Sequence, residues 1–166
     1  MTDLPTYPED AAEREEAMPA AERADHAYAS WLSRVGAYLV DLLILALPLI
    51  VLFLILFAAD PGDTGAAWIG LILVYIVSLV LPFAYFTVLH GNERGQTLGK
   101  RAAGIRVVDE RTGGSIGYGR AFGRYGIIVV FGLLIVPVLL DYLWPLWDSK
   151  NQAWHDKTVH SVVVKA

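Results

Sequence analysis

The sequence predicts an all-α membrane protein: a small transmembrane helix bundle with two full spans, a third, broken apolar segment and a short cytoplasmic β element. The three apolar segments cover residues 31–59, 68–89 and 121–147. Hydrophobic residues make up 55% of the 166 residues, and the mean hydropathy of +0.48 is above that of soluble domains. A soluble domain of this size cannot bury all three segments. We therefore expect them to lie in a membrane.

Residues 1–30 are predicted to form a flexible, acidic cytoplasmic tail, followed by a transmembrane domain over residues 31–166. The tail holds eight acidic residues, three prolines and only two basic residues, Arg14 and Arg23. Such a segment has too few apolar residues to bury a core. A secretory signal begins with basic residues and then becomes apolar, which this segment does not, so the first apolar segment is expected to remain as an anchor. The chain has no cysteine, which excludes disulfides and thiolate metal sites.

The first two apolar segments are each long enough to cross a membrane. Between Asp41 and Asp60 lie 18 residues without a charge, and the second segment has 22. At about 1.5 Å per helical residue, each can span a hydrocarbon core of about 30 Å. The turn between them, residues 60–65, contains neither lysine nor arginine.

Basic residues predict the orientation of these spans. The link that follows the second segment, through the start of the third, contains Arg94, Lys100, Arg101, Arg106, Arg111, Arg120 and Arg124. Because basic residues accumulate on the cytoplasmic side, the link and the N-terminus are expected there, and the turn at residues 60–65 outside. The basic loop at residues 91–101 is expected to contact anionic lipid head groups.

The link and the end of the chain have strand-like patterns. In residues 103–118, β-branched residues on both sides of Gly113 and Gly114 suggest a small hairpin. Residues 158–165 show a further strand pattern. A strand must pair its backbone groups, and the other candidate strands lie in the link. The C-terminus is therefore also expected to be cytoplasmic.

The third apolar segment is interrupted by Gly126, Gly132, Pro137 and Pro145. A single crossing would put the C-terminal strand outside, away from the link. Two half-helices of about 12 residues would instead reach about 18 Å into the membrane and return. Such a re-entrant backbone is tolerated where protein or water covers it. We expect a re-entrant hairpin, with a single straight span as the alternative.

Charged residues in the first apolar segment form a candidate site. A carboxylate at the centre of a membrane helix costs about 2.5–3.5 kcal/mol on insertion, so Asp41 must be paired, neutralised or used. Arg34 lies seven residues earlier, which places both residues on one helix face about 10 Å apart. Pro48 lies on the same face and leaves the Ile44 carbonyl without its helical bond. This face is either an ion-binding groove or an Arg–Asp or Asp–backbone lock that fixes helix packing.

Asp141 is the second candidate for this intramembrane site. It either faces the same polar interior as Asp41, where two repelling carboxylates would suit proton exchange or cation coordination, or it caps a half-helix or touches the membrane interface. Near the C-terminus, His155 and His160 lie five residues apart without a clear third ligand, which is a weak metal signal. Asp156 is expected to anchor the turn before the last strand. No metal, cofactor or catalytic residue is expected.

Residues 91–101 superficially resemble a phosphate-binding loop. The Walker pattern needs four residues between its first glycine and the Gly-Lys pair, but only three separate Gly95 from Gly99. Arg101 also replaces the required hydroxyl residue. The sequence contains no Ser-His-Asp spacing, zinc motif or dinucleotide fingerprint. We therefore expect neither an enzyme nor a nucleotide or nucleic-acid partner.

Together these features resemble the RDD family of bacterial membrane proteins, which is named for an arginine and two aspartates. Arg34 and Asp41 match the arginine and aspartate of the first helix. The other matches are Gly95, Thr97, Leu98, Gly99 and Lys100 in the link, Arg120 or Arg124 before the third segment, and His155 and Asp156 near the end. The resemblance implies that Asp156 is the second aspartate, and it does not extend to Asp141.

The resemblance implies a multi-pass protein of the bacterial inner membrane. Most members have no assigned function; some are linked to cation/proton antiport, and others occur beside or fused to other modules. One hypothesis is an accessory or scaffold subunit of a larger membrane assembly, bound to other membrane-protein subunits or to copies of itself. The alternative is a cation/proton exchanger that uses Asp41 and Asp141. Three apolar segments are few for a solitary transporter, which favours the first hypothesis.

Overall fold

The computed structural model describes residues 28–59 and 65–166. The predicted acidic tail up to residue 27 and most of the predicted outer turn lie outside the described residues. The chain is already held at residues 28 and 29, because Tyr28 forms a β-bridge with Val164 and the Ala29 N–H donates to the Val163 carbonyl at 2.9 Å.

Two long helices, α1 (Trp31–Ala59) and α2 (Gly65–Gly91), confirm the first two predicted segments. Trp31–Ala59 and Trp68–Gly91 are long and apolar enough to cross a membrane. Many of their large apolar side chains, such as Leu47 and Leu73, are more than half exposed. Contiguous apolar surface of this extent fits a lipid environment.

After α2, the link forms the short helix α3 (Leu98–Ala102) and the strand β1 (Ile105–Asp109). Gly95, in the turn between α2 and α3, has a positive φ of 60°. A Cβ atom at this position would lie only 2.1 Å from the Val107 carbonyl oxygen. The backbone of Gly95 must approach β1 this closely because the Val107 N–H donates to its carbonyl at 2.8 Å.

The C-terminal strand β2 (Ser161–Lys165) pairs antiparallel with β1, with Val107 opposite Val163. This confirms the predicted pairing between the link and the end of the chain. Both valines are buried and belong to the same hydrophobic core cluster as Ala37 of α1. The two-stranded sheet is therefore packed against the beginning of α1.

The predicted hairpin around Gly113 and Gly114 is wrong. Helix α4 (Gly117–Gly132) begins where the second strand of that hairpin was expected. The Asp109 carboxylate accepts hydrogen bonds from the Arg111 and Thr112 N–H groups at 2.8 and 3.0 Å and closes the turn itself. β1 thus ends in an aspartate turn that leads into a helix.

The third apolar segment is broken, as predicted. After α4, residues 133 and 134 form the break, followed by α5 (Ile135–Leu143), a 3-10 turn (Trp144–Leu146) and the short helix α6 (Trp154–Thr158). Pro137 lies in the first turn of α5, where the missing N–H costs no helical bond.

The two halves of this segment run in opposite directions. α4 packs along α2, where the Phe83 ring contacts Phe122 and Tyr125 at centroid distances of 4.6 and 5.3 Å. The end of α5 returns to the beginning of α1, since the Trp31 indole N–H donates to the Tyr142 carbonyl at 2.9 Å. The segment therefore folds back beside the β-sheet.

Candidate functional site

A buried polar cluster joins the C-terminal segment to α1 and α4. We call it the Asp156 cluster; its members are Arg34, His90, Arg124, Asp141, His155 and Asp156. Asp156 is fully buried at the centre. Its Oδ2 accepts from Arg34 Nη1 at 2.7 Å, and its Oδ1 accepts from Arg124 Nε and Nη2 at 2.9 and 2.5 Å. Two arginines from different helices thus share one carboxylate.

The electrostatics of Asp156 keep this carboxylate ionised. Burial raises its pKa, but the charges of Arg124 and Arg34 outweigh that effect and hold the pKa well below its usual range. Asp156 also accepts a hydrogen bond from the Ala153 N–H at 3.1 Å, at the beginning of α6. The expectation that Asp156 anchors the turn before the last strand is consistent with this contact.

Two histidines complete the hydrogen bonding of Arg124. Its Nη1 lies 3.1 Å from His90 Nδ1, and its Nη2 lies 3.1 Å from His155 Nε2. Because a guanidinium only donates, both ring nitrogens act as acceptors. The partners therefore assign the proton of His90 to Nε2 and that of His155 to Nδ1.

Asp141 is paired with His155 and not with Asp41. Its Oδ2 accepts from His155 Nδ1 at 2.5 Å, and its Oδ1 accepts from the His155 backbone N–H at 2.9 Å. Asp141 is fully buried. Asp141 therefore accepts from a backbone N–H at the beginning of α6.

Asp41 is held by three donors in a second set of contacts. Its Oδ1 accepts from the Tyr85 hydroxyl and the Gly99 N–H, both at 2.7 Å, and its Oδ2 accepts from Thr97 Oγ1 at 2.6 Å. Arg34 is not a partner, so the predicted Arg34–Asp41 pair is wrong. A shared helix face provides proximity, but both side chains turn towards other segments. The alternative prediction, in which Asp41 fixes helix packing by binding a backbone group, agrees with its hydrogen bond to the Gly99 N–H.

Gly99 must be a glycine for this contact to form. A Cβ atom there would lie 2.0 Å from the Ala37 carbonyl oxygen and 2.8 Å from Asp41 Cγ. The neighbouring Leu98 is about half exposed, and its N–H donates to the Tyr85 hydroxyl oxygen at 3.0 Å. The central motif of the link therefore docks α3 onto α1 and α2.

Lys100 is the buried basic residue of the loop at residues 91–101. Its side chain turns inward and the residue is only 7% exposed. Burial, followed by Arg124 and Arg34, lowers its pKa to about 7, against the opposing effect of Asp41 and Asp156. Arg94 and Arg101 remain exposed in this loop.

Of the two candidate arginines before the third segment, Arg124 is the one in the cluster. Arg120 forms an ion pair with Asp109, and its Nε donates to the Ile116 carbonyl at 2.8 Å. Arg120 therefore supports the turn after β1.

Sequence reasoning missed the roles of Tyr85 and His90. The Tyr85 hydroxyl donates to Asp41, and His90 accepts from Arg124. Both are polar side chains near the end of an apolar helix, which is the signal that could have found them. Within residues 28–59 and 65–166, no three His, Cys, Asp or Glu residues are grouped as metal ligands.

Comparison with known proteins identifies the family. A family model described as the RDD family matches residues 28–160. The chain belongs to the RDD family. No solved structure matches the chain.

The RDD chain is similar to two named relatives. It is 28% identical over 154 residues to "Proline-rich antigen" of Mycobacterium leprae (strain TN), an alignment that covers 82% of this chain and 60% of that protein. It is 30% identical over 115 residues to "Uncharacterized protein YckC" of Bacillus subtilis (strain 168), covering 66% of this chain and 68% of that protein. The chain thus spans 60% of the length of the first relative.

The observed partners of Arg34 predict the outcome of two double-mutant cycles. Arg34→Gln and Asp156→Asn should be coupled, because residues in contact typically show interaction energies of about 0.5–3 kcal/mol. Arg34→Gln and Asp41→Asn should be nearly additive. Thermal stability in detergent measures both cycles. Stronger coupling of Arg34 to Asp41 than to Asp156 would contradict the observed pairing.

Gly99→Ala should destabilise the RDD fold, because the added methyl group collides with backbone and separates α3 from α1. Overpacking of this kind costs about 1–3 kcal/mol. Gly126→Ala is the matched control: no atom lies within 4 Å of a Cβ there. It lies within α4, where alanine is favoured over glycine by up to about 1 kcal/mol. Equal melting temperatures for the two variants would refute the docking role of Gly99.

The buried Lys100 predicts a pH dependence of stability. Its pKa falls from 10.5 to about 7 on folding, so between these values the unfolded chain binds a proton that the folded chain does not. Stability must then rise with pH over this interval. The melting temperature of the wild type relative to Lys100→Met should therefore increase from pH 7 to 10. Lys157→Met, at an exposed lysine, is the control. A constant difference between wild type and Lys100→Met would contradict the burial of the amine.

Proposed function

We propose that this RDD protein is a multi-pass protein of the bacterial inner membrane in which α1 and α2 cross the bilayer and α4 and α5 enter it and return. The fold-back of the third segment beside the β-sheet supports re-entry. So does the tip of this hairpin, where Leu133 and Ile135 are 79% and 78% exposed. An apolar tip of this kind is stable in hydrocarbon and not in water. The hairpin also packs along α2, which covers part of its backbone.

Both termini and the link then lie on the cytoplasmic side. The support is the predicted charge asymmetry together with the pairing of β1 and β2, which keeps the link and the C-terminus together. The exposed arginines Arg94, Arg101 and Arg111 would face anionic lipid head groups.

We further propose that the protein acts as an accessory or scaffold subunit of a larger membrane assembly. One observation carries this proposal: the buried ionisable groups of the described residues all lie at the end of the bundle that holds the β-sheet. They are Asp41, His90, Lys100, Asp109, Arg124, Asp141, His155 and Asp156. From Leu42 to Ala59, α1 contains no ionisable residue. Ion pathways across membranes are typically marked by such groups.

The contacts of Asp41 also support a structural role. Three donors occupy its carboxylate, so binding a cation there would require breaking hydrogen bonds that dock α3. The large exposed apolar faces of α1 and α2 suit contact with lipid and with the helices of other subunits. Cation/proton exchange through Asp41 is the competing function, and it is tested directly below.

Cysteine labelling tests the proposed topology, since the chain contains no cysteine. We expect an impermeant maleimide to label Asp63→Cys in intact cells. Ser115→Cys and Lys165→Cys should be labelled only after permeabilisation. Ser115→Cys is the internal control for labelling on the cytoplasmic side, because the basic residues of the link assign Ser115 to that side independently of the third segment. Labelling of Lys165→Cys but not Ser115→Cys in intact cells would contradict re-entry and favour a single straight third span.

Affinity purification in mild detergent with mass spectrometry tests the scaffold role. We expect an unrelated membrane protein to be recovered in stoichiometric amount. The purified chain in liposomes should move no protons in response to Na⁺ or K⁺, as reported by a pH-sensitive dye. A cation-driven proton signal that disappears in Asp41→Asn, from protein that purifies only with itself, would overturn the scaffold proposal and support exchange.

A further inference from the structure

A cavity of about 260 Å³ lies beside the Asp156 cluster. Arg34, His90 and Lys100 form part of its polar wall. Tyr38, Leu39, Phe86 and Ile128 contribute to its apolar wall. The cavity therefore combines three nitrogen-bearing side chains with a largely apolar surround.

Arg34 directs an unused edge of its guanidinium into buried space. Its Nη1 is occupied by Asp156, while its Nε and Nη2 are buried without a hydrogen-bond partner. Nε and Nη2 form one edge of the guanidinium plane. Two parallel N–H groups on such an edge match the oxygens of a phosphate or carboxylate.

His90 and Lys100 add further donors to the same wall. The contact with Arg124 occupies His90 Nδ1 and leaves the proton on Nε2, which is buried without an acceptor. His90 is only 3% exposed. The Lys100 amine has no hydrogen-bonded partner among the described residues, and in its protonated form it can only donate.

This wall therefore presents donors and no unused carboxylate. Asp156 and Asp41 already accept from several donors each, and Asp141 accepts from His155. Buried donors without acceptors are costly, so a ligand that supplies acceptor oxygens would be favoured. The complement to such a wall is an oxyanion.

We propose that this cavity binds the phosphate group of an anionic membrane lipid, with Arg34, His90 and Lys100 as donors. The apolar wall of the cavity favours a lipid phosphate over free inorganic phosphate. Leu39 lines the cavity and is also 54% exposed on the outer face of α1. The apolar wall is thus continuous with the surface that we assign to lipid, so acyl chains can stay in the bilayer while the phosphate enters. This step rests on the proposed membrane placement of α1.

The test compares three probes by their effect on the melting temperature of the purified full-length protein in a neutral detergent. The probes are dioctanoyl phosphatidic acid, dioctanoylglycerol and sodium phosphate. We expect saturable stabilisation by phosphatidic acid alone. Lys100→Gln should weaken apparent affinity by about tenfold or more, as for the loss of one charged hydrogen bond. Arg101→Gln removes the same charge from the adjacent, exposed position of α3 and should bind as the wild type does.

A second variant separates lipid binding from folding. Leu39→Trp fills the apolar opening at an exposed position and leaves all donors in place. It should weaken the response to phosphatidic acid.

Stabilisation by sodium phosphate equal to that by phosphatidic acid would assign the cavity to a free anion and overturn the lipid proposal. An equal loss of affinity for phosphatidic acid in Lys100→Gln and Arg101→Gln would show that the lipid is attracted by surface charge and not bound in the cavity, which would overturn the proposal. If none of the three probes changes the melting temperature, the cavity binds no oxyanion, and the proposal is also overturned.

These outcomes are independent of the scaffold proposal. Partner recovery and cysteine labelling report assembly and topology, whereas the lipid response is measured on the isolated chain. Phosphatidic acid binding without a recovered partner would support the lipid site alone. A recovered partner without lipid binding would support the scaffold alone.

Discussion

The shared carboxylate of Asp156, held between Arg34 and Arg124, is the interaction on which the rest of the structure depends. The three residues come from α6, α1 and α4, which are far apart in sequence. Each charge is largely buried, so each needs the others: removing one partner from a buried ion pair costs about 3–5 kcal/mol. The constraint brings the end of the chain back to the beginning of α1. From there, β2 reaches β1 and completes the small sheet.

The carboxylate of Asp41 attaches the link to α1 by a second set of hydrogen bonds. Asp41 binds the backbone and side chains of the segment before and within α3, as Asp156 binds the beginning of α6. Both carboxylates thus join a long helix to a shorter segment: Asp156 of α6 accepts from arginines of α1 and α4, and Asp41 of α1 accepts from Thr97 and Gly99. Arg34, Asp41 and Asp156 thus act as attachment points between the long helices and the shorter segments.

Sequence reasoning predicted the features that depend on composition and on the cost of isolated charges. The long apolar runs predicted α1 and α2, the glycines and prolines predicted the broken third segment, and the need of a strand for a partner predicted that β2 meets the link. Spacing alone could not identify the partners of Asp41, because residues seven apart share a face but rotamers decide which segment they reach. The inward turn of Lys100 was equally hidden, since a basic loop is ordinarily solvated. The predicted hairpin failed because the turn chemistry of Asp109 outweighed local β propensity.

The most direct test of this account is hydrogen exchange of the β1 and β2 amides in Asp156→Asn. Asparagine keeps the shape of the side chain but removes the charge that two arginines share. We expect the Val107 and Val163 amides to exchange much faster in this variant, while amides in the middle of α2 keep their protection. Asp148→Asn, at the ion pair with the exposed Lys157, should leave the sheet protected. Wild-type protection of both strands in Asp156→Asn would contradict the central role of this carboxylate.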